Sequence, residues 1–325
     1  MIGKICGTGS YIPPKILSNN DLSEMVETND EWIRERTGVR NRHIAEHETA
    51  SFMAAEAAKR ALENAGISPE EIDLILVASS SPDVIFPSVA CEVQKEIRAV
   101  NAAGYDMQAA CTGFVFAYQS AQAYIAAGFY KTILAIGTET LSSMVDWTDR
   151  GTCILFGDGA GAAVIRAAEG TAYLPAAHSD GCRGDALLCK SRFSSKFVEA
   201  FQKTGETPKD TYISMDGRGV FQFAVKSVPQ IVTEVLDKAG LGTEDIDWFV
   251  LHQANKRIVE SVAKRLKTDI EKFPMNLQEY GNTSSASIPI LLDEMNRDGR
   301  LKKGQKIVIA GFGAGLSWGA SILEW

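Results

Sequence analysis

Residues 61–79, Ala-Leu-Glu-Asn-Ala-Gly-Ile-Ser-Pro-Glu-Glu-Ile-Asp-Leu-Ile-Leu-Val-Ala-Ser, have an echo 174 positions later. Residues 235–253 read Val-Leu-Asp-Lys-Ala-Gly-Leu-Gly-Thr-Glu-Asp-Ile-Asp-Trp-Phe-Val-Leu-His-Gln, with six identities and no gap. Each copy reads as the end of a helix, a glycine cap, an acidic turn and an apolar strand. A second echo pairs Gly157-Asp-Gly-Ala-Gly161 with Gly311-Phe-Gly-Ala-Gly315 at an offset of 154. Two echoes in one order point to an internal duplication. The chain, at 325 residues, is long enough for one fold built from two similar halves. Apolar strands alternating with helices imply an α/β fold whose sheets are buried on both faces.

The expected division is a first half over 1–170 and a second over 171–325. In the first, strands are expected over 4–11, 72–78, 105–110 and 132–136, then 153–156 and 162–166. Helices are expected over 20–25, 29–38, 49–65, 87–97 and 114–127. In the second, a helix with its apolar face on Phe221, Ala224, Val228, Ile231, Val232, Val235 and Leu236 precedes a strand over 246–251. Helices over 255–266 and 285–295 and strands over 306–310 and 318–324 follow. Between Gly170 and Gly219 the pattern loosens, and an irregular excursion is expected rather than a further domain.

The formal charge of −8 and pI near 5.2 argue against a nucleic-acid backbone as main partner, because that affinity is largely electrostatic. The six cysteines show no metal-ligand spacing and no disulfide framework. No signal peptide is read at Met1–Gly7. The charge-free stretches 107–130 and 307–323 are too polar, or too short and glycine-rich, to span a bilayer. A cytoplasmic protein is expected. Gly157-x-Gly-x-Gly161 lacks the βαβ context and the acidic residue of a dinucleotide loop, so its glycines are assigned to tight packing and no cofactor is expected.

The chemistry concentrates in Asp106-Met-Gln-Ala-Ala-Cys-Thr-Gly-Phe114. Cys111 lies where a strand turns into an alanine-rich helix, and a helix N-terminus favours a thiolate. Of the four histidines, only His252 directly follows an apolar strand, and a neutral imidazole can accept the thiol's proton near pH 7. Asn282 precedes another helix, 171 positions beyond Cys111. If the halves face one another across a pseudo-twofold axis, the three loops converge.

With these segments in view the chain resembles the β-ketoacyl-[acyl-carrier-protein] synthase III family, the initiating condensing enzymes of type II fatty acid synthesis. The resemblance runs from Met1 to Trp325. It is carried by Thr28-Asn-Asp-Glu-Trp-Ile-Arg-Glu-Arg-Thr-Gly38, Phe86-Pro-Ser88, Ala109-Ala-Cys-Thr-Gly113, Ile154-Leu-Phe-Gly-Asp-Gly-Ala-Gly161, His252-Gln-Ala-Asn255, Gly281-Asn-Thr-Ser284 and Gly311-Phe-Gly-Ala-Gly-Leu-Ser-Trp-Gly319. It implies a thiolase-like, five-layered αβαβα fold and a homodimer. It assigns Cys111, His252 and Asn282 to catalysis, with acyl-CoA and malonyl-acyl carrier protein as substrates. An oxyanion would be held by the backbone N–H groups of Cys111 and Ala314. Thr28, Trp32, Arg36, Arg150 and Asn255 would bind CoA, and Phe86 would floor the acyl pocket of a partner copy. Arg218 stands where some relatives carry an asparagine that contacts pantetheine. A basic stripe of Lys256, Arg257 and Lys264 beside the site would dock the acidic carrier protein. A relative using the same three residues for a polyketide starter or a signal molecule is the alternative enzyme, and a non-catalytic scaffold the alternative outside enzymes.

Overall fold

The computed structural model describes residues 1–325. Two sheets carry the duplication. The first has five strands, in spatial order Ile2–Tyr11, Asp158–Ala168, Thr132–Thr140, Leu74–Ala78 and Ala103–Met107. The second has four, in the order Ala176–Ser179, Ser317–Glu324, Lys306–Gly313 and Trp248–Leu251. The first four strands of one sheet match the four of the other in direction: antiparallel, antiparallel, then parallel. The register repeats as well. Leu74 faces Ile133, and Trp248 faces Ile307, each residue moved by 174 positions (248 − 74 and 307 − 133). The additional strand Ala103–Met107 is the one that leads to Cys111.

Alternate residues of the strands feed different cores, as a sheet covered on both faces requires. Ile75 and Val77 join the helices Ala50–Ala65 and Val89–Ile97 on one outer face. Leu74, Leu76, Ile307 and Ile309 point inward, where Phe114 of helix Gly113–Ala126 and Leu291 of helix Ser287–Arg297 fill the space between the sheets. Val308 and Ala310 pack on the other outer layer, helices Gly217–Ala239 and Lys256–Leu266. Five layers result, with the central helix pair buried from both sides. No helix is long and apolar enough to cross a membrane.

Several expectations need correction. The glycine echo at offset 154 does not join equivalent positions. Ile165 and Leu323 occupy matching places opposite Ile133 and Ile307, so Gly161 corresponds to Gly319, an offset of 158, while Gly311 corresponds to Gly137. The segment 153–156 is not a strand: Asp149 caps a short helix, Arg150–Cys153, through a bond from the Gly151 N–H. The 170–219 region is more ordered than its composition suggests. It supplies Ala176–Ser179 to the second sheet, a two-stranded pairing of Leu187–Leu188 with Ser214–Met215, and the helix Ser195–Thr204. That helix leaves Val198 and Phe201 exposed, so its formation owes little to burial.

Two glycines show how tightly the halves interlock. A Cβ on Gly137 would fall deep inside contact distance of the Ser285 carbonyl, whereas one on Gly311 would meet the Cys111 carbonyl oxygen at 3.2 Å. Gly137→Ala should therefore lose roughly 3 kcal/mol or fail to fold, and Gly311→Ala should lose no more than about 1.5 kcal/mol. Urea denaturation of the two variants checks this, and equal midpoints would contradict the packing described.

Candidate active site

Cys111 sits on a tight elbow. Ala110 adopts φ +44°, Ala110–Thr112 form one 3₁₀ turn, and the helix Gly113–Ala126 begins at the next residue. The second half repeats the device 174 positions on: Ser284 has φ +50°, Ser284–Ala286 form a 3₁₀ turn, and a helix starts at Ser287. Non-glycine residues in this region carry strain of about 1–3 kcal/mol, which persists only where packing enforces it. Here the strand ends enforce it. Added Cβ atoms on Gly311 and Gly313 would crowd the Cys111 backbone, at 3.2 Å from its carbonyl oxygen and 2.9 Å from its nitrogen respectively. Gly137 stands in the same relation to Ser285, the residue that corresponds to Cys111.

The two halves differ in what they place around these elbows. Gly113 lies against Ala78, where a Cβ would meet the alanine methyl at 2.7 Å. The corresponding pair, Ser287 and His252, is joined by a hydrogen bond of 2.7 Å between Oγ and Nδ1. The His252 ring also packs edge-on to Phe312, 5.2 Å between centroids, and the residue's backbone N–H donates to the Ala310 carbonyl in the neighbouring strand. Asn282 enters from a third direction. Its N–H donates to the Leu155 carbonyl, and its own carbonyl accepts from Gly157. Its Oδ1 accepts the Ser284 N–H at 2.8 Å. The amide oxygen is thereby occupied, and the NH₂ end is the one free to donate elsewhere. The turn carrying Ser284 packs directly against the turn carrying Cys111, which joins the two elbows.

Burial dominates the electrostatics. Cys111 is 7 % exposed, and desolvation drives its thiol up to about 12; the Glu139 carboxylate pushes it the same way, against the Ser284 hydroxyl. The expectation that the helix terminus would favour a thiolate is thus reversed in the resting chain: the cost of a buried anion exceeds the dipole's contribution. His252 is driven down to about 3 by the same desolvation, so it is neutral at pH 7 and able to accept or donate one proton. Ser287 Oγ, which accepts from the Gln253 N–H at 3.3 Å, can either donate to Nδ1 or accept from it. Both neutral tautomers of His252 are therefore supported, one leaving Nε2 a donor and the other an acceptor.

A second group of expected residues gathers around helix Asp30–Thr37, which carries Trp32 and Arg36. Asn29 caps this helix through the Trp32 N–H, and Gly38 ends it at φ +86°. The guanidinium carbons of Arg150 and Arg36 stand 4.8 and 5.4 Å from the Trp32 ring centroid. Arg150 is also held by the Glu27 carbonyl at 2.7 Å. Trp32 and Arg150 close on one another, without the spacing a flat ring between them needs. Thr28 Oγ1 is buried and has no hydrogen-bond partner, which marks it as a polar atom awaiting one. Asn255 caps helix Lys256–Leu266, with Oδ1 on the Arg257 N–H and Nδ2 on the Arg36 carbonyl, so both ends of its amide are engaged.

The remaining expected residues lie on the surface. Phe86 is 85 % exposed, beside exposed Ile85 and Val84. Lys256 pairs loosely with Glu260 at 3.6 Å, Arg257 lies over the Phe221 ring at 5.4 Å, and Lys264 is exposed. Arg218 lies exposed at the start of helix Gly217–Ala239. Ala314 is not among the residues with positive φ, and its carbonyl accepts from Ser317 Oγ at 3.0 Å, so an alanine is accommodated there. The sequence reading missed Ser284, Ser285, Ser287, Glu139 and Phe312. Extending the 174-residue offset from the strand to the elbows would have found the first three.

Fold and site together define a thiolase-like enzyme, with one elbow of a duplicated fold carrying the cysteine. The family model for 3-oxoacyl-[acyl-carrier-protein] synthase III matches residues 105–181, and the model for its C-terminal part matches 236–325. A β-ketoacyl-[acyl-carrier-protein] synthase III of Clostridium acetobutylicum is 51 % identical over 99 % of this chain and 98 % of its own. The crystal structure of 3-oxoacyl-[acyl-carrier-protein] synthase III from Aquifex aeolicus is 42 % identical, covers 99 % of this chain and 100 % of its own, and has a TM-score of 0.92. The priming β-ketosynthase of the R1128 polyketide pathway is 36 % identical, with a TM-score of 0.92 over 99 % of this chain and 96 % of its own. The chain belongs to the β-ketoacyl-[acyl-carrier-protein] synthase III family.

The resting protonation states give a direct prediction. The rate of Cys111 alkylation by iodoacetamide should be low at pH 7 and keep climbing through pH 10. Peptide mass mapping distinguishes it from the exposed Cys6, Cys91 and Cys182. A plateau reached by pH 7 would mean that the thiol is already ionised and that burial does not set its state.

Proposed function

We propose that this enzyme condenses a short acyl-CoA, acetyl-CoA in the first instance, with malonyl-[acyl-carrier protein]. The products are 3-oxoacyl-[acyl-carrier protein], CO₂ and CoA, and the step initiates fatty acid synthesis in the cytoplasm. The half over 1–170 holds the acyl group on Cys111, and the half over 171–325 supplies His252 and Asn282. The observation that carries this reading is the fixed Asn282 amide, its oxygen held by Ser284 and its NH₂ free to donate. A neutral histidine and a buried thiol complete the set. Cys111 Sγ attacks the acyl-CoA carbonyl as its proton passes to His252 Nε2, with Nδ1–H donating to Ser287. The carbon–sulfur bond to CoA breaks, and the leaving thiolate takes up that proton. Malonyl thioester then loses its carboxylate as CO₂. The enolate oxygen accepts hydrogen bonds from Asn282 and from His252 Nε2–H, whose Nδ1 now accepts from Ser287. The enolate carbon attacks the acyl carbonyl, whose oxyanion is held by the N–H groups of Cys111 and Ala314, and the Cys111 thiolate leaves and is reprotonated.

Thr28, Trp32, Arg36, Arg150 and Asn255 bind CoA in this reading. The adenine enters between Trp32 and Arg150 after Arg150 releases the Glu27 carbonyl, and Thr28 Oγ1 gains its missing partner. Pantetheine displaces the Arg36 carbonyl from Asn255 Nδ2. The exposed run Val84, Ile85, Phe86 packs against a second copy and floors its acyl pocket, giving a homodimer. Lys256, Arg257 and Lys264 dock the carrier protein. No cofactor takes part.

The allocation of roles is tested by separating the half-reactions. Cys111→Ala should abolish acyl transfer yet still release labelled CO₂ from malonyl-carrier protein. His252→Ala and Asn282→Ala should depress that release roughly 10²-fold or more, the scale of losing an oxyanion donor. Loss of decarboxylation in Cys111→Ala as complete as in His252→Ala, with both proteins folded, would overturn it. Arg257→Glu should raise KM for malonyl-carrier protein while leaving acylation by acetyl-CoA intact, and added salt should shrink the difference. Equal damage to both half-reactions would remove Arg257 from the docking surface.

A further inference from the structure

The residue in the first half that corresponds to Gly313 is Glu139, 174 positions earlier. Gly313 lies directly against Cys111, where a Cβ would come within 2.9 Å of the cysteine nitrogen. Glu139 holds the matching position beside Ser285, and it is fully buried. One oxygen accepts from the Ser80 N–H at 3.0 Å and the Ser81 hydroxyl at 2.6 Å. The other accepts from the Ser285 hydroxyl at 2.9 Å. Ser81 Oγ in turn accepts the Thr140 N–H at 2.8 Å, and Ser285 Oγ also lies 2.9 Å from the Ala78 carbonyl. The turn Ser284–Ala286 packs against the turn Ala110–Thr112 that carries Cys111, and its Ser284 N–H holds Asn282 Oδ1. Burial raises the Glu139 carboxyl above the usual carboxylate range, and the hydrogen bonds from the Ser81 hydroxyl, the Ser80 N–H and the Ser285 hydroxyl oppose that shift by favouring the anion.

Resting on the site reading above, we propose that Glu139 is a positioning residue of the condensing site: its carboxylate clamps the Ser284–Ser285 elbow to the Ser80–Ser81 loop, and so fixes the Ser284 N–H that holds the Asn282 amide. Two consequences follow from the chemistry. The elbow carries the N–H that fixes Asn282 Oδ1, so loosening it frees the amide to rotate and weakens the enolate site. A charge on the buried Glu139 carboxylate also acts on the buried Cys111 thiol through the low-dielectric interior and pushes its pKa up, so the carboxylate opposes a thiolate. Anchoring and charge thus act in opposite directions on the two halves of the reaction. A merely structural residue would not produce that signature.

Three variants read it out: Glu139→Gln removes the charge and keeps the size, Glu139→Asp keeps the charge and shortens the reach, and Ser285→Ala removes one anchoring hydroxyl. In Glu139→Gln, Cys111 alkylation by iodoacetamide at pH 8 should rise roughly tenfold, equivalent to a fall of about one unit in thiol pKa. Its kcat for condensation should fall about tenfold with KM for acetyl-CoA unchanged. Glu139→Asp and Ser285→Ala should lose kcat similarly but alkylate at close to the wild-type rate. Wild-type rates of both alkylation and condensation in Glu139→Gln would overturn the proposal, as would parallel losses of both. If Glu139→Gln fails to fold, unchanged kcat in Ser285→Ala overturns it. A wild type that takes no acyl group from acetyl-CoA would instead sink the reading of the site, and the alkylation rates would still decide the role of Glu139.

Discussion

The site depends on backbone approaching backbone where side chains are absent. Gly311 and Gly313 at the end of one strand press on the Cys111 elbow, and Gly137 in the matching strand presses on the Ser285 elbow. These contacts hold Ala110 and Ser284 in left-handed conformations that neither residue favours alone. They also bring together loops far apart in sequence. The turn of Cys111 packs on that of Ser284, the Ser284 N–H fixes Asn282, and the strand carrying Gly311 and Gly313 places Phe312 against His252. A methyl group at one of these glycines would alter the spacing of the whole set.

Within that frame the duplication has been made unequal by a few side chains. One elbow has a cysteine with Gly313 beside it and a histidine where the other half has Ala78. The other elbow has a serine tied to a buried glutamate and the Ala78 carbonyl. The first arrangement has a glycine where the second holds a carboxylate; the second saturates its hydroxyl with acceptors. Burial completes the division by keeping the thiol protonated and the imidazole neutral in the resting chain.

The features legible in the sequence are those with local causes. Asn29 and Gly38 bracket the helix carrying Trp32, and Thr49 and Gly66 bracket Ala50–Ala65, because capping depends on residues a few positions apart. The strand 248–251 and its partner 74–78 are legible through apolar runs and their repetition. The short apolar run 153–156 is ambiguous by nature, and Asp149 settles it as the end of a helix. The Gly157–Gly161 echo misleads because glycines recur wherever strands cross closely, so identity of residue does not imply identity of place. Glu139 and Ser285 are 146 positions apart and carry no local signature. Their pairing appears only once the offset of 174 is followed into three dimensions. The state of Cys111 is illegible for a related reason, since its desolvation comes from elements distributed along the chain.

The central claim is that one elbow of a duplicated fold presents Cys111 as the acyl acceptor while its counterpart is closed. The most direct measurement is to incubate the folded enzyme with acetyl-CoA, quench in acid, digest it and map the acetyl group by mass. The expected result is one acetyl thioester, on the peptide containing Cys111, with Ser285 and the exposed cysteines unmodified. An adduct on Ser285, on Cys6, Cys91 or Cys182, or no adduct at all on a protein with native circular dichroism, would contradict it.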